Sequence, residues 1–203
     1  MMLSLEEGTQ ATQLARDTVE LYVRTGKEPS PNLLGPFKEK RGVFVTLHTY
    51  PTEDLRGCIG LPHPVMPLQD AIVSAAVSAT QDPRFPPLGA GELDTIIVEL
   101  TVLTPPVLIR VSHPKEYVDR IVIGRDGLIV EQGIYKGLLL PQVPLEQGWD
   151  VEEFVSHTCL KAGLLPDAWC DPLTKIYHFS GQIFTENKPH GEIKERHLDG
   201  SGG

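Results

Sequence analysis

"LDTIIVELTVLTPP", residues 93–106, is the clearest strand in the sequence. Ile96, Val98, Leu100 and Val102 alternate on one side of it, with Ile97, Glu99, Thr101 and Leu103 on the other. A period of two is that of a β-strand, and Pro105 and Pro106 stop it. Earlier in the chain, "RGVFVTLHTY" (41–50) has the same β-branched and aromatic character. Pro51 ends it, and "DLRGCIG" (54–60) returns as a second strand, giving a hairpin. On the other side, "RIVIGRDGLIVEQG" (120–133) reads as a hairpin with Asp126 and Gly127 in its turn. "GIYKGLLLPQV" (133–143) reads as a further, more buried strand stopped by Pro141, and "KIYHFSGQIFTE" (175–186) as one last strand. The expected sheet residues are therefore 43–49, 96–103 and 121–130 among others.

Helices punctuate these strands. Ser4 and Glu7 form a capping box ahead of the stripe Ala11, Leu14, Ala15, Thr18, Val19 and Tyr22, and Gly26 is the stop. This predicts a helix over 5–25. Pro67 suits the first turn of a second helix over 69–80, where Ala71, Ala75 and Ala79 leave one face bare enough for a close neighbour. Asp150 with Glu153 caps a third over 151–162, ended by Gly163. Strands joined mainly by short turns predict an α+β fold, a mainly antiparallel sheet flanked by helices. Residues 1–190 read as a single domain and 191–203 as a frayed, flexible C-terminal tail.

Composition narrows the function classes. With 203 residues, 40% of them apolar, the chain can bury a sizeable core without disulfides or metals. The formal net charge of −9 argues against nucleic acid as a partner, since Lys and Arg would have to dominate some face. No apolar run approaches the ~20 residues that span a bilayer, and the polar, acidic start "MMLSLEEGTQ" is unlike a signal peptide. Three widely spaced cysteines, Cys58, Cys159 and Cys170, fit a reducing cytoplasm. No G-x-G-x-x-G or Walker pattern is present, so no cofactor is expected. His157, Cys159 and Cys170 match no zinc spacing, so no metal is expected either.

The chemistry-bearing residues gather around "LRGCIG". Cys58 reads as a nucleophile or as a small buried residue at a bend. The first needs a thiolate, and hence a nearby positive charge or base. Arg56, two residues back, would share its face on an extended strand and could lower the thiol pKa or clamp an anion. Gly57 and Gly60 would leave the backbone open to a ligand, or serve a turn. In "DPRF", Asp82 and Arg84 flank Pro83, which fixes their directions. They bind a polar ligand, or pair and lock the loop to the sheet. Phe85 reads as a plug into the core. Glu99 faces water or a cleft, and in a cleft it becomes a candidate acid or base.

The segments "LRGCIG" (55–60), "DPRFPPL" (82–88), "GLLLPQV" (137–143) with "GWD" (148–150), and "CLKAGL" (159–164), in this order and spacing, resemble the AMMECR domain family. The resemblance covers roughly residues 5 to 187. It implies a larger and a smaller lobe, with a cleft bearing the "LRGCIG" motif. It also implies a neighbourhood of a Memo-like protein and a radical SAM enzyme in a modification or oxidation pathway. It brings no reaction with it.

Together these readings give a cytoplasmic protein with a site for a small polar or anionic ligand around Cys58. Arg56 and Cys58 are the candidate catalytic residues. Gly57, Gly60, Asp82, Arg84 and Glu99 are the candidate ligand-binding residues. The alternative is a non-catalytic binding or adaptor module for a partner protein. The ligand reading expects Arg56, Cys58 and at least one of Asp82, Arg84 and Glu99 to line one pocket, with Arg56 partly unpaired.

Overall fold

The structure, a computed structural model, describes residues 2–196. In chain order the elements are α1 (Leu5–Thr25), β1 (Val43–Thr49), β2 (Leu55–Leu61), α2 (Leu68–Ala79) and β3 (Ile96–Leu103). They are followed by β4 (Val107–Leu108), α3 (Tyr117–Arg120), β5 (Gly127–Gln132), β6 (Tyr135–Leu139), α4 (Gln142–Gln147), α5 (Val151–Lys161) and β7 (Lys175–Phe179). β8 (Gly181–Glu186) and β9 (Ile193–Arg196) close the described chain. The fold is α+β, with two antiparallel sheets flanked by helices. One sheet has the order β2-β1-β3-β8-β9 and the other β4-β7-β5-β6. The chain divides into two compact units. The first runs to Thr104 and resumes at Gln182; the second is Pro105–Gly181.

In the first unit, β3 lies in mid-sheet. β3 pairs antiparallel with β1, Thr46 opposite Glu99 and Leu47 opposite Val98. Val43, Val45 and Leu47 of β1 and Ile96, Val98, Leu100 and Val102 of β3 form one apolar face, packed with α1 and α2. The residues read as one side of the strand are thus the ones in this core, and on the other side Ile97, Glu99 and Leu103 are buried as well. α1 begins at the expected capping box, with the Ser4 N–H donating to Glu7 Oε2 at 2.7 Å and the Glu7 N–H to Ser4 Oγ at 3.2 Å. Gly26 ends it at φ +70°. Ala71, Ala75 and Ala79 of α2 are all buried in the same core, so the bare helix face is where the neighbours approach.

An ion pair runs through this core. Arg16 of α1 and Glu186 of β8 are 1% and 2% exposed. The Arg16 Nε donates to Glu186 Oε1 at 2.9 Å, and its remaining nitrogens reach the carbonyl oxygens of Leu93 (3.1 Å) and Ile96 (2.8 Å). Glu186 Oε2 also accepts the Val98 N–H at 2.8 Å. Such complete pairing is what makes a buried charge tolerable.

In the second unit, α5 starts at the Asp150–Glu153 capping box, and Phe154, Val155 and Cys159 face the apolar side of β5 and β7 through Leu128, Val130 and Ile176. Four sequence expectations need correction. Residues 121–130 are not a hairpin, because only Gly127 onward is strand. The Asp126 carboxylate turns back to accept the Val122 N–H at 2.9 Å, and Gly124 at φ +84° completes a tight turn. β5 pairs instead with β6 across Gly133, at φ +60°. β6 is not a more buried strand, since only Gly137 in it is buried. The stretch 175–186 is two strands split at Ser180, β7 and β8, belonging to different sheets. Finally, part of the expected tail is ordered: β9 pairs with β8, Arg196 opposite Ile183. The rest of that tail, 197–203, lies outside the described residues.

Candidate functional site

β2 is the edge strand of its sheet, so every second residue turns its backbone N–H and C=O away from β1. At Cys58 the "DPRF" loop fills that edge. The Cys58 N–H donates to Asp82 Oδ2 at 2.8 Å, and the Cys58 carbonyl accepts from Arg84 Nη2 at 3.2 Å. Asp82 in turn accepts from the Arg84 backbone N–H (3.0 Å), Nε (3.0 Å) and Nη2 (2.6 Å). Asp82 is buried while the Arg84 side chain is 56% exposed. The Arg84 hydrogen bonds hold the Asp82 carboxyl well below the usual carboxylate range, against its burial and with help from the Cys58 N–H. The loop is therefore locked to the sheet through the backbone of Cys58.

The Cys58 side chain points along the sheet face opposite the helices. Cys58, Thr46 and Glu99 stand in register on β2, β1 and β3. The Thr46 hydroxyl donates to Cys58 Sγ at 3.1 Å. Burial pushes the Cys58 thiol pKa up. The Thr46 hydrogen bond and the Arg84 charge oppose this, while the charges of Asp82 and Glu99 add to it. At neutral pH the group is a thiol, not a thiolate.

Glu99 is 7% exposed. Its Oε2 forms an ion pair with Arg196 Nη2 at 2.9 Å, and its Oε1 lies 4.0 Å from His48 Nε2. His48 Nδ1 is 3.2 Å from the Glu53 carbonyl and donates to it. Glu99 raises the His48 pKa, which burial partly offsets. Thr46, His48 and Arg196 were missed by the sequence reading. The first two were findable, since they follow Phe44 at a period of two on the face of β1 opposite Val43, Val45 and Leu47. Arg196 was hidden by reading its segment as frayed.

Arg56 sits beside the irregularity in β1–β2 pairing between Leu47 and His48. It is not unpaired as expected: Nε donates to Glu92 Oε1 at 2.7 Å and Nη2 to Oε2 at 3.0 Å. This fork depresses the Glu92 pKa, and Arg56 is not among the charges that move the Cys58 thiol. The Arg56 guanidinium also lies 5.9 Å from the centroid of the Phe85 ring, and that of Arg84 lies 5.7 Å from the same ring. Phe85 is half-buried, a platform shared by two cations and not a core plug. Each guanidinium keeps an Nη1 group without a hydrogen-bond partner among the described residues.

Both glycines of the motif serve close packing. A Cβ on Gly57 would collide with the carbonyl oxygen of Ala79 at the end of α2, and one on Gly60 with the ring of Phe44. β2 thus lies against its neighbours at a distance only glycine allows.

Comparison with known proteins gives a consistent family. The family model AMMECR1 matches residues 12–184. Protein MJ0810 of Methanocaldococcus jannaschii is 57% identical over 198 residues, 97% of this chain and 98% of that one. Protein MK0488 of Methanopyrus kandleri is 53% identical over 203 residues, 97% of this chain and 96% of that one. Among solved structures, protein PH0010 from Pyrococcus horikoshii matches with a TM-score of 0.79 at 51% identity, covering 97% of this chain and 99% of that one.

Proposed function

The chain belongs to the AMMECR1 family, and on that footing we propose that it is a binding module for a small anionic ligand. The ligand docks on the guanidinium groups of Arg56 and Arg84 beside Cys58. One observation carries this reading. Two arginines lie within 6 Å of the single Phe85 ring, each oriented by one carboxylate, Glu92 or Asp82. Guanidinium groups fixed in this way keep their remaining N–H donors aimed and ready, and planar forks suit carboxylate or phosphate oxygens.

Cys58 enters as a neutral thiol at the edge of this surface. A covalent role would need an activating base or an approaching cation. The balance of burial and charge runs the other way, which favours binding over nucleophilic catalysis. In this reading the binding serves a modification or oxidation pathway with a Memo-like protein and a radical SAM enzyme, which the family resemblance supports.

The test is a nitrogen-15 NMR titration with inorganic phosphate and then citrate. The reading predicts saturable shifts at the backbone amides of Cys58, Arg84 and Phe85. Arg56→Ala should weaken binding at least tenfold with the spectrum otherwise folded, because the Glu92 left behind is 40% exposed and can be hydrated. Shifts scattered over surface lysines and arginines alike, or unchanged affinity in the variant, would contradict it.

A further inference from the structure

The second unit carries two adjoining hollows that the ligand site does not use. One, of about 450 Å³, is lined by Gln132, Tyr135, Leu164, Leu165, Asp167 and Asp171 among others. The other, of about 340 Å³, is lined by Val111, Pro114, Tyr117, Trp169, Pro172 and again Asp171 among others. They flank the short helical turn Ala168–Cys170 and meet at Asp171. We propose that this surface is a docking groove for an extended segment of a partner protein that carries two large apolar side chains on either side of a lysine or arginine.

Three observations choose that occupant. First, the apolar groups at the groove are exposed beyond what folding requires: Leu165 is 73% exposed and Tyr135 is 50%, with Ile134 beside it at 93%. Apolar side chains gathered at a concave site mark an interaction surface. Second, the far hollow has a rigid aromatic wall. Tyr117 and Trp169 meet edge to face at 6.4 Å, and the Trp169 indole N–H is held by Ser156 Oγ at 3.2 Å. Preformed walls of this kind take an apolar anchor without ordering cost. Third, the charge is one-sided. Asp167 and Asp171 line the groove and no lysine or arginine does. Asp171 is fixed by the Leu173 N–H at 2.8 Å and the Gln132 side-chain amide at 3.1 Å. The exposed Asp167 carboxylate has no hydrogen-bond or ion-pair partner among the described residues. A base between two apolar anchors would meet Asp171, which lines both hollows, with Asp167 in the first of them. An acidic segment would be repelled.

The test uses three synthetic peptides, acetyl-GLSKSLG-amide, acetyl-GLSESLG-amide and acetyl-GSSKSSG-amide, added to the nitrogen-15-labelled full chain; in an extended chain their alternate residues, the two anchors and the central charge, share one face. The lysine–leucine peptide should give saturable shifts at Tyr135, Leu165, Asp167 and Trp169. Its affinity should exceed that of the other two at least tenfold and fall as salt rises from low to high ionic strength. Leu165→Glu and Asp167→Lys, both at exposed positions, should each lower it at least tenfold without loss of folded signals. Equal binding of the acidic peptide, absence of saturation, or shifts that map elsewhere would overturn the proposal. So would a dimeric mass in sedimentation that Leu165→Glu converts to monomer, since the groove would then be a contact between copies of this chain.

Discussion

The carboxylate of Asp82 accepts the backbone N–H of Cys58 at 2.8 Å, so a loop residue closes the open edge of the strand that carries the motif. The same carboxylate is bound by Arg84, whose Nη2 returns to the Cys58 carbonyl. Two side chains thereby replace the strand that an edge otherwise invites.

Asp82→Ala should destabilise the protein by about 2–3 kcal/mol, because it removes charge-assisted hydrogen bonds and leaves the Cys58 N–H without its acceptor. Urea unfolding of the variant measures this. The pH dependence has a fixed sign. The Asp82 pKa is depressed in the folded state, so its contribution is fully present above the unfolded value, about 3.9. It is lost as pH falls below that value towards the folded one. Stability measured between pH 6 and pH 2 should therefore fall less steeply in Asp82→Asn than in the parent.

Arg16→Met should be more costly, about 3–5 kcal/mol, since it strands Glu186 as a buried, unpaired charge. The double variant with Glu186→Leu should regain a large part of this, though not all, because Val98 loses the acceptor for its N–H. Thermal and denaturant unfolding of the two variants should show the single as the weaker one. A double variant no more stable than the single would refute a charge-pair account.

Ala75→Leu should destabilise by about 1–3 kcal/mol through overpacking. Ala75 is 1% exposed and shares the core with Ala71 and Ala79. A melting temperature equal to that of the parent would show that the α2 face has room to spare.

Local patterns made much of this fold legible. The boundaries of α1, β1 and β3 follow from capping residues and from periods of 3.6 and two, which are properties of the chain within a few residues. What was not legible depends on distant partners. Nothing in "RIVIGRDG" tells that Asp126 will turn back to the Val122 N–H instead of leading a hairpin. Ser180 offers no visible break between β7 and β8, yet the chain changes sheet there. β9 reads as a charged tail because Lys194, Glu195 and Arg196 mask a strand whose partner, β8, is needed to order it. At the site, the expectation was that the side chains of Arg56, Cys58 and at least one of Asp82, Arg84 and Glu99 would converge on one pocket. The actual form of the contact, side chains binding the Cys58 backbone, has no sequence signature. The pairing of Arg56 with Glu92, 36 positions away, is equally invisible.

If Cys58 serves the binding surface as a neutral thiol, site-resolved alkylation will show it. Iodoacetamide labelling from pH 6 to pH 10, read by peptide mass spectrometry, follows Cys58 with the exposed Cys170 as internal reference and the buried Cys159 as the slow limit. Cys58 should label more slowly than Cys170 at pH 7, with a rate still climbing above pH 9, where an ordinary thiol of pKa about 8.5 is levelling off. Labelling of Cys58 faster than Cys170 at pH 7, with a rate that has reached its plateau by pH 8, would contradict it and restore the thiolate nucleophile.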